Sequence, residues 1–438
     1  GTEVLGGYIV VDGAIKVKTT KTYRDSAVSK IVDIVSTASD DKSKAEKFIS
    51  TFAKYYTPVV VITAILLAFI PPFFYETYAE GFEIWLKRGV MMLCVSCPCA
   101  LVVSVPLSYF CSVGYLAKNG VLVKTTERLS SLGKCTTFAF DKTGTLTTGE
   151  FEVTKIVSTK KFQGKVLEIC AICEKNSNHP LAKSILKKYG KEITVNAENL
   201  VEIAGRGIAC EINGDKVLCG NAKFLLENNV EFKSVEEIGV KIYLAVNGEY
   251  AGTVILNDVA RDTAYGAIME LYDEGVTNTV LLTGDNKEYA RVIRKQLNMR
   301  QSVSELLPEN KVEEIERLME NGEKTVAFVG DGINDAPVLS RADVGIAMGG
   351  LGSDLAVESA DVVIVDDDLS KVPFALKVAK RANNIAKQNI VVSIAIKVLI
   401  MLLSIFGVTS SIWLAIVGDV GVLILAILNS LRSSLKIL

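Results

Sequence analysis

The sequence predicts a multidomain membrane protein: an α-helical transmembrane bundle joined to an α/β domain that carries an inserted α+β domain. Three observations lead there. Four apolar stretches are long enough to cross a bilayer, which takes about 20 residues. Three further apolar runs read as buried strands, and each ends in a turn bearing Asp or Thr. The 438-residue chain has a mean hydropathy of +0.33, high for a water-soluble protein. Its length allows about three domains.

The first apolar stretch runs roughly from Phe52 to Phe74 and the second roughly from Gly89 to Leu116. The third is roughly Asn389 to Phe406, and the fourth roughly Ile412 to Leu431. Gly407–Ser411 is short enough only for a hairpin, and residues 75–88 read as the other external loop. Four spans put both ends and the segment 117–388 on one side. A net charge of -2 gives no attraction for nucleic acid. The start, Gly1-Thr2-Glu3-Val4, is polar and does not read as a secretory signal. Nine Cys, odd in number and scattered, argue against a disulfide framework and for a reducing compartment.

The run Cys135–Phe140 reads as a strand, with Asp141 at its carboxyl end, where open α/β sheets place their ligand sites. The turn is Asp141-Lys142-Thr143-Gly144-Thr145-Leu146-Thr147. An exposed carboxylate there can attack phosphorus and form an aspartyl-phosphate. Lys142 and the hydroxyls of Thr143 and Thr145 can hold phosphate oxygens, and Gly144 lets the backbone come close. Thr283-Gly284-Asp285-Asn286 follows a second apolar strand, Asn278–Leu282. Gly330-Asp331-Gly332-Ile333-Asn334-Asp335-Ala336-Pro337 follows a third, Thr325–Val329, and Lys311 lies at the start of a charged helix. Metal-assisted phosphoryl transfer needs such a set: an attacking carboxylate, others for Mg2+, and a hydroxyl and an ammonium for the phosphoryl oxygens.

This set resembles the phosphorylation domain of P-type ATPases, a branch of the haloacid-dehalogenase-like fold. Their elements DKTGT, TGD, Pro-x-x-Lys and GDGxNDxP all stand in this sequence. The resemblance implies that Asp141 is phosphorylated and that Asp141, Asp331 and the Thr143 carbonyl hold Mg2+. It implies that Thr283 and Lys311 bind the phosphoryl group. Lys142, Thr145, Gly284 and Asp285 complete the catalytic turns, and Asn334 and Asp335 support the site.

The second span contains Cys94-Val95-Ser96-Cys97-Pro98-Cys99. Pro98 has no N–H for the Cys94 carbonyl, so the helix opens there. Broken backbone at membrane depth is tolerated where it lines a protein site. Cys97 and Cys99 flank the break and offer soft thiolates. Lys397 sits mid-span in the third stretch and Asp419 inside the fourth; charges at that depth mark function and, with opposite signs, offset each other. Two thiolates with a carboxylate suit Zn2+ or Cd2+, whereas Cu+ prefers sulfur alone. The Cys-Pro-Cys run, the mid-helix Lys and Asp-x-Gly resemble the zinc/cadmium/lead exporters among these ATPases. That resemblance makes Cys97, Cys99 and Asp419 metal ligands and Lys397 a built-in counter-ion.

In the segment 150–257, Glu174-Lys175-Asn176-Ser177-Asn178-His179-Pro180 carries the single His in front of a helix. An imidazole can stack on adenine, and Ser-x-His-Pro resembles the subgroup's nucleotide motif. By resemblance Glu174, His179, Gly205 and Gly207 bind ATP, and Asn221 belongs with them. The pair Cys170 and Cys173 reads as helix packing.

The resulting domain reading is 1–45, the tail of an actuator domain; 46–123, a helix pair with Cys-Pro-Cys; and 124–149, the first part of the phosphorylation domain. Residues 150–257 form the nucleotide-binding domain, 258–382 the second phosphorylation part and 383–438 the last helix pair. Strands at Tyr8–Val11 and Ile15–Val17 and a helix at Ser26–Ala38 are expected in the tail. No actuator loop of the family's Thr-Gly-Glu kind is recognised, so the chain reads as the carboxyl-terminal part of a pump. The implied setting is a bacterial plasma membrane with cytoplasmic catalytic domains, and the partners are ATP, Mg2+, the metal and the bilayer. The missing actuator and amino-terminal helices are needed in cis or trans. A membrane-anchored phosphohydrolase and a non-catalytic metal-binding subunit are the alternatives.

Overall fold

The computed structural model describes residues 44–177, 179–203, 205–233, 235, 237, 239–320, 325–331, 335–349, 358–366, 368–406, 413 and 416–434. The expected elements of the actuator tail, and Asn334, lie outside the described residues. The strands are β1 (Val121–Val123), β2 (Thr137–Asp141), β3 (Thr147–Ser158), β4 (Glu198–Ile203), β5 (Gly207–Ile212), β6 (Asp215–Gly220) and β7 (Val240–Val246). They continue with β8 (Glu249–Ala260), β9 (Asn278–Leu282), β10 (Gln301–Val303), β11 (Val326–Gly330), β12 (Val344–Ala347) and β13 (Val362–Ile364). The chain forms two compact units. One takes the described residues up to Ala139, with Gly266–Thr279 and everything from Pro308; the other takes Phe140–Tyr265 and Val280–Leu307.

Among the described residues of the first unit, four helices are long and apolar enough to cross a membrane: Lys54–Phe74, Tyr78–Lys118, Lys371–Ile405 and Val417–Ser434. The second is split into Tyr78–Val95 and Cys99–Lys118, so the break expected at Pro98 is present. It also begins earlier than expected. Residues 78–88 are helical rather than loop, because Glu83 and Lys87 pair at 2.7 Å across one turn and give a charged sequence helical support. The third reaches far past its apolar stretch, over 35 residues. About a third of the way along it, Asn383 Nδ2 donates to the Ser130 carbonyl at 3.0 Å, and Tyr109 OH donates to Asn383 Oδ1 at 2.9 Å. That seats the helix against Thr126–Leu132.

Strands of this unit are short, apolar and buried, as a sheet covered on both faces requires. β11 pairs parallel with β12, β12 parallel with β13, and β13 antiparallel with β1. The foot of β2 is held by Thr136 and Thr137 N–H groups donating to the Thr325 carbonyl, and by Thr277 N–H donating to Thr136.

The second unit is dominated by a six-stranded antiparallel sheet in the order β3-β8-β7-β6-β5-β4. Its helices Val166–Glu174 and Pro180–Tyr189 pack on a core that includes Cys170, Cys173, Ile185, Cys210, Cys219 and Leu244. The expectation that Cys170 and Cys173 pack inside thus holds. β9 and β10 run parallel, and β9 delivers Thr283 at its carboxyl end.

Candidate functional site

Asp141 ends β2, as the sequence predicts, but its carboxylate is recessed rather than open: it is 7% exposed. A nucleophile needs access for its substrate, not bulk water. The following turn folds tightly because Gly144 takes φ +75°, a left-handed conformation that suits glycine. Arg261 clamps that turn, donating from Nε to the Thr145 carbonyl at 2.9 Å and from Nη2 to the Gly144 carbonyl at 2.8 Å. Thr145 Oγ1 is buried with no hydrogen-bond partner among the described residues, which fits a phosphoryl oxygen as its missing partner.

Lys142 is already engaged. Its Nζ lies 2.9 Å from Asp285 Oδ2, 3.6 Å from Asp258 Oδ2 and 5.1 Å from the centre of the Tyr289 ring. Burial opposes its charge, but the Asp285 bond and the two carboxylates outweigh burial and raise its pKa. Thr283 Oγ1 donates to Asp285 Oδ2 at 2.9 Å and accepts from the Asp285 N–H at 3.1 Å, which closes the second catalytic turn. Gly284 sits between them. Asn286 then caps the helix Lys287–Gln296 through Tyr289 N–H.

Asp258 is the residue that sequence reasoning missed here. Buried on β8, it accepts from Thr147 Oγ1 at 2.6 Å and from Gly149 N–H at 3.1 Å, tying β3 to β8. Its signal was a carboxylate in a strand just past the apolar run Val254-Ile255-Leu256, which must find partners when buried. The tripeptide Thr148-Gly149-Glu150 lies in β3, so it belongs to this sheet and is not an actuator loop.

Lys311 and Asp335 belong to the first unit. Lys311 Nζ bonds Asp335 Oδ1 at 2.8 Å, and Asp335 is buried at 2% exposed. Burial raises the Asp335 pKa, while Lys311 works against that rise. Asp331 directly follows β11. Asp141, Asp331 and the Thr143 carbonyl are all oxygen donors, the chemistry Mg2+ takes.

A cavity of about 310 Å³ in the second unit is lined by Glu174, His179, Gly205, Gly207 and Asn221, all five of the expected nucleotide residues. Glu202, Arg206 and Lys241 line it too and escaped the sequence reading. Burial raises the Glu174 pKa, opposed by Ser177 and His179. His179 Nδ1 accepts from Leu181 N–H at 3.2 Å, so the residue also caps its helix. Asn221 caps the next short helix, and its Nδ2 braces the Gly205 carbonyl at 2.8 Å. Gly207 is there for close packing: a Cβ would sit 2.3 Å from the Cys219 carbonyl.

At the break in the second span, sulfur atoms of Cys97 and Cys99 and a carboxylate oxygen of Asp419 all lie within 4.8 Å of one another. The two sulfurs are joined as a disulfide, with Cα atoms 5.4 Å apart, which corrects the expectation of reduced cysteines at this place. A chelating pair and a disulfide need the same adjacency. Thiolates, not a disulfide, ligate metals, so the reduced pair is the form able to hold one. Lys397 Nζ bonds Asp419 Oδ1 at 2.7 Å.

The family of haloacid dehalogenase-like hydrolases matches residues 135–343. A cadmium, zinc and cobalt-transporting ATPase of Bacillus subtilis is 44% identical over 99% of this chain and 62% of its own length. A zinc-transporting ATPase of Synechocystis is 43% identical over 99% of this chain and 60% of its own. The solved structure of a zinc-transporting PIB-type ATPase in its E2.Pi state superposes with a TM-score of 0.78 and 33% identity. That match covers 94% of this chain and 68% of that one. Fold and catalytic turns define the hydrolase class. Within it, the chain belongs to the PIB-type ATPases, the heavy-metal branch of the P-type family. It spans about three fifths of the length of the curated relatives it matches.

Proposed function

We propose that this chain is the metal-binding and catalytic part of an ATP-driven exporter of a divalent heavy-metal ion, Zn2+ or Cd2+, with Co2+ and Pb2+ within the same donor chemistry. The observation that carries the reading is the convergence of Cys97, Cys99 and Asp419 within 4.8 Å at membrane depth, in a chain whose Asp141 ends a catalytic strand. A membrane-anchored phosphohydrolase needs the second feature and not the first; a binding subunit needs the first and not the second.

Asp141 attacks the terminal phosphorus of ATP; the new Asp141–phosphorus bond forms as the bond to the ADP oxygen breaks. Lys142 is fixed by Asp258 and Asp285 at the shoulder of the nucleophile. Thr145, Thr283 and Lys311 neutralise the phosphoryl oxygens, and Asn334 and Asp335 support the site. Asp141, Asp331 and the Thr143 carbonyl would hold Mg2+, which would supply charge neutralisation. His179 stacks on adenine, with Glu174, Gly205, Gly207 and Asn221 around the nucleotide. In the membrane, the reduced Cys97 and Cys99 with Asp419 take the metal, and Lys397 serves as counter-charge once the site empties.

Labelling with γ-phosphate-labelled ATP tests this. Acid-stable, hydroxylamine-sensitive label should rise with Zn2+ and vanish in Asp141→Asn. Label that persists in Asp141→Asn, or ignores Zn2+ and Cd2+, would refute the reading.

A further inference from the structure

The loop Gly205-Arg206-Gly207 presents a single side chain at the wall of the cavity of about 310 Å³ that Glu174 and His179 also line. The backbone of Arg206 is fixed on both sides. Its N–H donates to the Ile203 carbonyl at 3.0 Å, and its carbonyl accepts from the Asn221 N–H at 2.9 Å. The guanidinium is fixed as well: Nε lies 3.0 Å from Glu227 Oε2, and Nη2 lies 3.0 Å from Glu227 Oε1. Glu227 ends the helix Ala222–Glu227 and stands outside the cavity lining.

That pair is side-on, with two of the five guanidinium N–H groups meeting both carboxylate oxygens. Its side chains are 34% and 52% exposed, so as a surface ion pair it adds little to stability. What it does is aim the group. The end edge, Nη1 with the second Nη2 N–H, meets no acceptor among the described residues. The charged lining sets Glu174 and Glu202 against Arg206 and Lys241. Two carboxylates balance two cations, so the lining as a whole has no net pull on a polyanion, and a phosphate must be recognised locally. The Lys241 ammonium already donates to the Val235 carbonyl at 2.6 Å. Arg206 is the lining cation that keeps a planar pair of donors open, and such a pair matches two oxygens of a phosphate.

We propose that Arg206 binds the polyphosphate of the nucleotide through this end edge, and that Glu227 is a positioning residue that aims it. The inference rests on the nucleotide reading above. It adds the group that distinguishes a nucleoside polyphosphate from an uncharged nucleoside in this cavity.

Equilibrium binding of adenosine, ADP and ATP to the full chain in detergent, without Mg2+, tests this. The unmodified protein should bind ADP and ATP at least about tenfold more tightly than adenosine, as charge-assisted hydrogen bonds require. Arg206→Gln should remove most of that gap and leave adenosine affinity unchanged, which also shows that the variant is folded. Arg206→Lys should keep part of it, since a point charge lacks the paired donors. Glu227→Gln keeps the shape but not the charge that pins the guanidinium. It should weaken ATP by about threefold, the scale of one exposed ion pair, with adenosine again unchanged. Added salt should weaken ATP binding more in the unmodified protein than in Arg206→Gln. Unchanged ATP affinity in Arg206→Gln would overturn the proposal. So would equal losses for ATP and adenosine, which would make Arg206 a packing or base-stacking residue. An ATP affinity untouched in Glu227→Gln would remove the positioning role. An unmodified protein that binds none of the three ligands is a separate result, one that defeats the nucleotide reading itself.

Discussion

Lys397 Nζ meets three acceptors at once: Asp419 Oδ1 at 2.7 Å, the Val95 carbonyl at 3.1 Å and the Cys97 carbonyl at 2.5 Å. An ammonium has three donors, so its capacity is filled. The two carbonyls lie at the break around Pro98, where the helix has too few N–H groups to serve them. One side chain therefore closes the broken backbone and neutralises the half-buried carboxylate. Lys397→Ala removes both services and should cost about 3–5 kcal/mol, as when one partner of a buried pair is deleted. Denaturant midpoints in detergent measure this, and an unshifted midpoint would show the pair to be dispensable to the fold.

Asp419→Ala should weaken Zn2+ binding by more than about 100-fold, beyond the 10–100-fold of a typical outer-shell change. Calorimetry on the reduced protein reads the affinity. Because the thiols must lose protons, affinity should also fall as pH drops. X-ray absorption of the loaded protein should show sulfur near 2.3 Å and oxygen near about 2.0–2.2 Å. A shell of sulfur alone would count against Asp419 as a ligand.

Asp258→Ala should leave the Thr147 hydroxyl and the Gly149 N–H without their acceptor and Lys142 short of one carboxylate. A loss of about 1–3 kcal/mol in unfolding free energy is expected from the buried Thr147 hydroxyl, Gly149 being exposed. Phosphorylation from ATP should slow, since Lys142 loses its placement. Asp258→Asn retains one acceptor oxygen and should recover part of the stability. Equal damage from both variants would mean that charge, not hydrogen bonding, dominates.

His179 both lines the cavity proposed for the nucleotide and caps a helix, and the two roles separate by substitution. Asn is a good capping residue without an aromatic ring. His179→Asn should thus keep the helix while raising the KM for ATP about tenfold, worth roughly 1.4 kcal/mol. Phosphorylation by inorganic phosphate should be untouched. If both reactions fall together, the ring serves the fold rather than adenine.

Lys142 makes an alkaline prediction. Its pKa is raised from the ordinary 10.5: burial opposes the charge, but Asp285, Asp258 and Tyr289 outweigh it. A lysine whose folded value is raised stabilises the fold fully below its unfolded value. That contribution is lost as pH climbs through the higher folded value. Urea midpoints should decline above about pH 10.5, and Lys142→Met should flatten that decline. An identical slope in the variant would assign it to other groups.

The catalytic turns were legible because each is a run of consecutive residues behind an apolar strand. Asp141, Thr283 and Asp331 stand at or just beyond the ends of β2, β9 and β11, where the sequence put them. Asp258, Tyr289 and Arg261 were not, since they reach Lys142 and the turn from separate elements and carry no local pattern of their own. The break at Pro98 followed from one missing N–H, whereas the disulfide across it could not be anticipated from scattered cysteines. Residues 78–88 misled because charge suggests a loop, yet charge spaced at one helical turn supports a helix. The apolar stretch from Asn389 gave the membrane part of its helix but hid the polar residues that precede it.

That preceding part has a mechanical consequence. At 1.5 Å per residue the 35-residue helix is about 52 Å long, well beyond the roughly 30 Å of hydrocarbon. About 20 Å of it therefore stands clear of the bilayer, gripped at Asn383 by Ser130 and Tyr109. Asn383 and Lys397 lie on one uninterrupted α-helix, about 21 Å apart. A helix is stiff along its axis, so the element works as a pushrod. A displacement of an ångström imposed at the Asn383 end arrives at the ammonium beside Asp419 nearly undiminished, and an ångström is enough to make or break a 2.7 Å contact.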